Sequence, residues 1–266
     1  MKYEPIKEKV SSLMGQSPVM RRLLYSFLGI IFLREWHVKR ALREIMKGRD
    51  AVEVLDAGSG FGQYSYYCAS KLDAKVFGVD INKSEVEKCN RFAQKMNLLD
   101  LSFAAADLEK LALTKKFDVI VSVDVMEHIR DDVKVFKNFS QVIRDGGSLL
   151  ISTPSNFGGS DVHDHDEHSF IDEHFREGYS AEDITRKLGE AGLHVERLQY
   201  TYGKAGSWYW KLAIKLPVMM LNKSIALMVL LPFYYIVALP FSLAFMAVDY
   251  FFPPAKGSGL LIVARK

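Results

Sequence analysis

Cysteine is almost missing from this chain: Cys68 and Cys89 are the only two in 266 residues. Both fall in helical patterns, so no disulfide framework is available, and two buried or idle thiols fit a reducing compartment. The opening residues, with Lys2, Glu4, Lys7, Glu8 and Lys9, lack the apolar core of a secretory signal. No basic stripe interleaved with aromatics and no nucleic-acid motif is present, which argues against nucleic acid as a partner. Internal repeats and low-complexity tracts are also lacking. Hydrophobic residues at 49% and charged residues at 25% leave an ordinary globular chain, long enough for one substantial α/β domain with additions.

The net charge of +3 is unevenly spread. Residues 1–50 carry +6, residues 51–202 carry −9, and residues 203–258 carry +4. Basic character therefore sits at the two ends, which are also the unusually apolar parts. That combination suits an anionic membrane surface.

Short apolar runs predict strands at Val52–Ala57, Lys75–Asp80, Leu101–Ala106, Phe117–Val123 and Ser148–Thr153. Each is followed by a helical or turn pattern, as in a parallel sheet covered on both faces. A helix at Ser180–Ala191, a strand at His194–Tyr202 and a last strand at Gly259–Ala264 complete the core pattern. Ser17 and Pro18 form a cap and first-turn pair that predicts a long helical stretch to about Met46. The expected organisation is an N-terminal basic and apolar helical segment (1–50), an α/β domain (51–206), an apolar helical insertion (207–256) and a final strand (257–266).

Val54–Gly62 carries the central signal: a strand that empties into Gly58, Gly60 and Gly62, with Asp56 two positions ahead, and then a helix. Glycines there let the backbone turn tightly and approach a ligand without Cβ interference. Asp80 ends the second strand, 22 residues after Gly58, placed for ribose hydroxyls. Asp107 ends the third and Asp124 tips the fourth. All lie on the rim where open α/β sheets bind ligands. Any one of these acids alone is equally well a helix cap.

Together these residues resemble the class I S-adenosylmethionine (SAM)-dependent methyltransferases. Val54–Gly62 resembles their first motif, Phe77–Asp80 the second and Ala106–Leu108 the third. Val123-Asp124-Val125-Met126-Glu127-His128-Ile129 resembles the fourth-strand motif of small-molecule and lipid-precursor enzymes, and Ile143–Ile151 the start of the fifth strand. The resemblance implies a Rossmann-like seven-stranded, mostly parallel sheet with its last strand antiparallel, SAM as cofactor, and methyl transfer. It implies that the Gly58–Gly62 loop, Ser59 included, meets the methionine part of SAM, with Gln63 and Tyr64 near its carboxylate. Asp80 would meet the ribose and Asp107 with Leu108 the adenine, and Asp56, Ile81 and Asp124 are also expected among the cofactor-binding residues.

The acceptor side is less defined. Four of the seven histidines, His163, His165, His168 and His174, fall in the 27 residues of Thr153–Tyr179. A general base among them, with His165 or His168 favoured, competes with a divalent-metal site and with a solvated polar loop; methyl transfer requires no metal. By the resemblance His128 lies near the methyl group, unless it only caps a helix, and His174, Arg176 and Tyr179 help order a substrate lid.

From Ile225 to Val248 there is no charged residue. That length crosses a hydrocarbon core of ~30 Å as a helix. A single crossing conflicts with the flanking strands, which belong to one sheet. The expectation is a re-entrant or interfacial hairpin, broken near Pro217, Pro232 or Pro240, with Trp208, Tyr209, Trp210, Lys211 and Lys215 at headgroup level. The acceptor is then a lipid, an isoprenoid-quinone precursor or a polyene, and the protein sits peripherally or monotopically on the cytoplasmic membrane face. The competing readings are a soluble small-metabolite methyltransferase, with the insertion as lid or homodimer contact, and a membrane-bound scaffold that binds SAM without catalysis.

Overall fold

A computed structural model describes residues 17–158 and 175–266. The chain begins with two helices, α1 (Pro18–Ile31) and α2 (Leu33–Met46). Alternation then follows: β1 (Glu53–Ala57), α3 (Gln63–Lys71), β2 (Lys75–Asp80), α4 (Lys83–Lys95), β3 (Leu101–Ala105), β4 (Phe117–Val123), α5 (Asp132–Val142) and β5 (Ile143–Pro154). After α6 (Ala181–Glu190) and β6 (His194–Thr201) come α7 (Lys204–Trp210), α8 (Leu216–Lys223), α9 (Leu231–Phe251) and β7 (Gly259–Arg265).

The seven strands form one sheet in the order β3-β2-β1-β4-β5-β7-β6. β7 runs antiparallel to both β5 and β6, and the remaining pairs are parallel, as expected. Strand order reverses between β1 and β4, which makes their carboxyl ends the topological switch point. Period-two alternation sends Leu55, Ile120 and Leu149 into the layer under α5 and α6, with Phe136, Phe139 and Leu188. Val54, Val119 and Leu150 face the other layer, with Leu42 of α2, Cys68 of α3 and Cys89 of α4. Both thiols are buried and free, and burial pushes the Cys89 thiol up to about 11.

Three expectations change. The stretch from Ser17 to Met46 is two helices, because Phe32 is extended (φ −100°, ψ 115°). The break lets α2 pack on the sheet while α1 lies over the β1–α3 loop; Leu33, fully buried, joins Tyr209, Ala213 and Met246 instead of continuing the α1 stripe. Ser17 occupies the cap position without a side-chain cap bond. The fifth strand starts at Ile143 rather than Ser148, since Ile143 pairs with Phe117 ahead of an irregularity in the register. The insertion begins at Lys204 rather than residue 207.

The insertion is a helical hairpin whose ends meet: Gly203 donates its N–H to the Asp249 carboxylate at 2.7 Å. Tyr234 and Tyr235 donate to the carbonyls of Leu212 and Ala213, at 2.6 and 2.8 Å, which pairs the two arms. Its reversal lies at Ser224, extended at φ −162°, and the short 3-10 turn Ile225–Leu230. Pro217 and Pro232 sit in first turns, where proline is tolerated, and Pro240 lies inside α9 without ending it.

Candidate active site

The loop after β1 is held by its neighbour strand: Gly58 and Ser59 both donate N–H to the Val79 carbonyl, at 2.8 and 2.9 Å. Gly58 (φ +84°), Gly60 (+48°) and Gly62 (+72°) all occupy the left-handed region. Gly58 is doubly constrained, because a Cβ there would lie 2.3 Å from Cγ2 of Val125, just beyond β4. A Cβ at Gly60 would meet nothing within 4 Å, so the loop's outer surface is bare backbone, open to a ligand.

Asp80 works on this loop directly. Its Oδ2 accepts the Gly60 N–H at 2.8 Å, and its Oδ1 accepts the Asn82 N–H at 2.8 Å. The next residue, Ile81, is 76% exposed, an apolar shelf at the rim beside a carboxylate. Asp107 lies beyond the end of β3 and caps the 3-10 turn Leu108–Lys110, accepting the Glu109 N–H at 2.9 Å. Leu108 turns its side chain into the core, and its carbonyl accepts from Asn138. Asp56 is buried under the loop and accepts from Ser65 Oγ; burial first, with Asp80 adding, pushes its carboxyl up to about 6. Gln63 opens α3, half-buried at the loop's edge.

Asp124, immediately past β4, has φ +54° and pairs with the Arg34 guanidinium of α2. The contact holds the Arg34 pKa above its ordinary value against the opposing effect of burial. Tyr64, the second residue of α3, is buried next to Arg34 and Glu35, and burial with the Glu35 charge raises its phenol pKa. The N-terminal helices thus bring a cation to the strand tips, ninety residues away in sequence from Asp124.

Glu127 and His128 occupy the 3-10 turn after β4. His128 is half-buried there. Glu127 is 2% exposed, and Thr153 at the end of β5 donates its hydroxyl to Oε2 at 3.0 Å. Burial, then the Asp124 charge, pushes its carboxyl up to about 8. Sequence reasoning passed over Glu127, although it stands inside the quoted fourth-strand motif; only its depth distinguishes it. Arg176 and Tyr179 anchor this turn from behind. Arg176 donates to the Ile129 carbonyl at 2.8 Å, Tyr179 to the Met126 carbonyl at 3.1 Å, and both meet Asp132. His163, His165, His168 and His174 lie outside the described residues. Among the described residues no cluster of three or more His, Cys, Asp or Glu side chains could hold a metal ion.

These residues fit SAM. The glycine loop presents bare backbone, Ser59 Oγ is buried without a partner, and Ile81 offers an exposed apolar face next to Asp80. A family profile described as a methyltransferase domain matches residues 49–192. A ubiquinone biosynthesis O-methyltransferase of Pelagibacter ubique is 33% identical over 102 residues, 38% of this chain and 42% of that protein. A chloroplastic tocopherol O-methyltransferase of Arabidopsis thaliana is 33% identical over 103 residues, 38% of this chain and 30% of that one. The chain thus spans less than half the length of the curated relatives it matches. Phosphoethanolamine N-methyltransferase 2 of Haemonchus contortus, solved with SAM, has a TM-score of 0.60 at 18% identity, covering 87% of this chain and 52% of that one. A SAM-dependent methyltransferase of Clostridium acetobutylicum has a TM-score of 0.57 at 14% identity, covering 93% and 98%. Likeness at such identities is a likeness of fold. With the profile covering over half the chain and the rim built as described, this protein belongs to the class I SAM-dependent methyltransferase family.

Proposed function

We propose that this chain methylates a hydrophobic acceptor dissolved in, or lying at, a membrane: a lipid, an isoprenoid-quinone precursor or a polyene. The observation that carries the reading is the hairpin. Leu227–Phe251 is long and apolar enough to cross a membrane, yet most of it faces outward. Phe233, Ile236 and Phe241 are 67%, 71% and 60% exposed. Both ends of the hairpin return to the sheet, so the chain seats on one side of a bilayer, as a monotopic or peripheral protein on the cytoplasmic face. The similar ubiquinone biosynthesis and tocopherol O-methyltransferases are named for molecules of the same chemical class.

In this reading Gly58–Gly62, Asp56, Ser59, Gln63 and Tyr64 hold the methionine part of SAM, with Asp124 and Arg34 at its charged end. Asp80 takes the ribose hydroxyls, Ile81 packs on the nucleoside, and Asp107 with the backbone of Leu108 meets the adenine edge. Bound SAM supplies an electrophilic methyl group on a sulfonium. The protein must align the acceptor, exclude water and, for a hydroxyl acceptor, take its proton. In this reading His128, half-buried in the turn after β4, takes that proton, or its buried neighbour Glu127 does once ionised.

The test is to incubate purified protein with methyl-labelled SAM and a membrane extract of the source cells, then partition the label. Label in an organic-soluble product supports the reading. Turnover confined to the soluble metabolite pool overturns it and leaves the hairpin as a lid or dimer contact; SAM binding with no turnover on either pool makes the protein a scaffold.

A further inference from the structure

The hairpin is one of two outward apolar surfaces. The other is on α1, where Val19, Met20, Leu23, Phe27 and Ile30 are each more than half exposed. At 100° per residue these five fall within one arc of the helix. The opposite arc is fixed: Arg21 donates to the carbonyls of Lys88 and Phe61, both at 2.9 Å, and Tyr25 also donates to Phe61. Arg21 stacks over Phe92, with its guanidinium carbon 5.0 Å from the ring centre. The helix is therefore clamped across the glycine loop and cannot roll its stripe inward.

Two further features indicate what covers the stripe. First, its surroundings are cationic. Arg22 lies beside it, and Lys88, Arg91 and Lys95 line the notch at the head of α1, over the buried Arg21. The nearby acids answer only part of this charge: Glu85 pairs with Lys88 at 2.7 Å, and Glu87 stands 3.6 Å from Arg91. Second, α1 is tied to the base of the hairpin: Tyr209 of α7 donates its hydroxyl to the Ile31 carbonyl at the end of α1. An apolar stripe with a basic collar, joined to an apolar hairpin, matches the interfacial helix of a monotopic protein.

We propose that α1 is a second membrane contact, selective for anionic phospholipid: its stripe enters the acyl boundary and its collar meets the phosphates. The inference rests on the membrane reading of the hairpin and adds a charge requirement that the hairpin alone does not carry. The experiment is vesicle co-sedimentation of the full chain with phosphatidylcholine alone and with added phosphatidylglycerol. Wild type is expected to favour the anionic vesicles, and R91Q/K95Q to lose about fivefold per removed charge on those vesicles alone. L23E/F27E is expected to lose at least tenfold on both. These side chains are exposed, so folding is preserved, as a thermal melt will verify; L23S/F27S provides the milder pair. Undiminished binding by L23E/F27E overturns the α1 contact and leaves the hairpin reading standing. Full binding by F233E/I236E, with loss in L23E/F27E, overturns the hairpin reading and keeps α1. Equal wild-type binding to both vesicle types removes the charge requirement. No wild-type binding, with dimers in light scattering that L23E/F27E abolishes, assigns the stripe to a second copy.

Discussion

The central strands and the α8–α9 hairpin are both strongly apolar, yet they dispose of that surface in opposite ways. Val119, Ile120, Leu149 and Ile151 are fully buried, because helices cover the sheet on both faces. Along α9 only Ala238, Ser242, Met246 and Asp249 are buried, while Phe233, Ile236 and Val237 look outward. The difference lies in topology rather than composition. A strand between two helical layers has partners on both sides; a hairpin projecting from one edge has a partner on one side only. The strands are therefore covered within the chain, whereas the hairpin's outer face keeps its apolar side chains exposed among the described residues.

The sharpest way to break the rim is Gly58→Ala. The left-handed φ and the Val125 methyl at 2.3 Å from the added Cβ act together, and the loop must shift. SAM affinity by calorimetry is expected to fall roughly a thousandfold, with stability falling by about 1–3 kcal/mol. Retained affinity would show that the loop is not the cofactor cradle.

Glu127→Gln comes next. A missing general base costs roughly 10²–10⁴-fold in rate. The wild-type rate on a hydroxyl acceptor should climb with pH through about 8, where the buried carboxyl ionises. The variant should lose that climb while binding SAM normally. Stability runs the other way. The folded-state pKa is raised, so the contribution of the neutral carboxyl is complete below the ordinary carboxyl range and lost as pH rises through about 8. The glutamine variant should escape that loss, gaining up to about 5 kcal/mol over wild type at high pH. Parallel pH–stability curves would show that Glu127 ionises like an exposed carboxyl.

Most of the rim was readable because its signals are local. A strand ending in glycine, or an acid one turn from a strand tip, needs only a few neighbouring residues to be recognised. What escaped was set at long range. Ile31, Phe32 and Leu33 continue an apolar helical pattern, and nothing nearby announces a break at Phe32; Tyr209 and Met246, far along the chain, hold Leu33. Arg34 reaches Asp124 by the same route. Asp107 was equally legible as a strand-end acid, and it also caps the turn that follows, accepting the Glu109 N–H. The raised pKa of Glu127 follows from burial between two strand ends, which no spacing in Val123–Ile129 expresses.

If the hairpin's outer face belongs in a bilayer, F233E/I236E should separate it from the rim. Two charges placed where apolar side chains are 67% and 71% exposed cost the folded protein in water almost nothing. Membrane partition should drop about a hundredfold, since two apolar contacts are lost and two charges must stay hydrated. SAM affinity should not move. Unchanged partition with altered oligomeric state would return the hairpin to a dimer contact.

The smallest expected effect concerns the joint between the two regions. Asp249 is the one acid in α9, and it is 2% exposed. Its Oδ1 accepts the Tyr202 N–H at 3.1 Å and lies 3.3 Å from His37 Nε2; its Oδ2 accepts from Gly203 and Gly206 at 2.7 and 3.2 Å. A carboxylate suits the position because it accepts on both oxygens, tying the end of the hairpin to the end of β6 and to α2. Asp249→Asn keeps the shape but turns one acceptor into a donor facing two backbone N–H groups. The loss should be about 2 kcal/mol. Because the joint belongs to the hairpin rather than the glycine loop, hydrogen exchange should rise first in α7 and α9 while β1–β5 stay protected. Uniform loosening of the whole sheet would mean that hairpin and rim form a single cooperative unit and that their separation is only geometric.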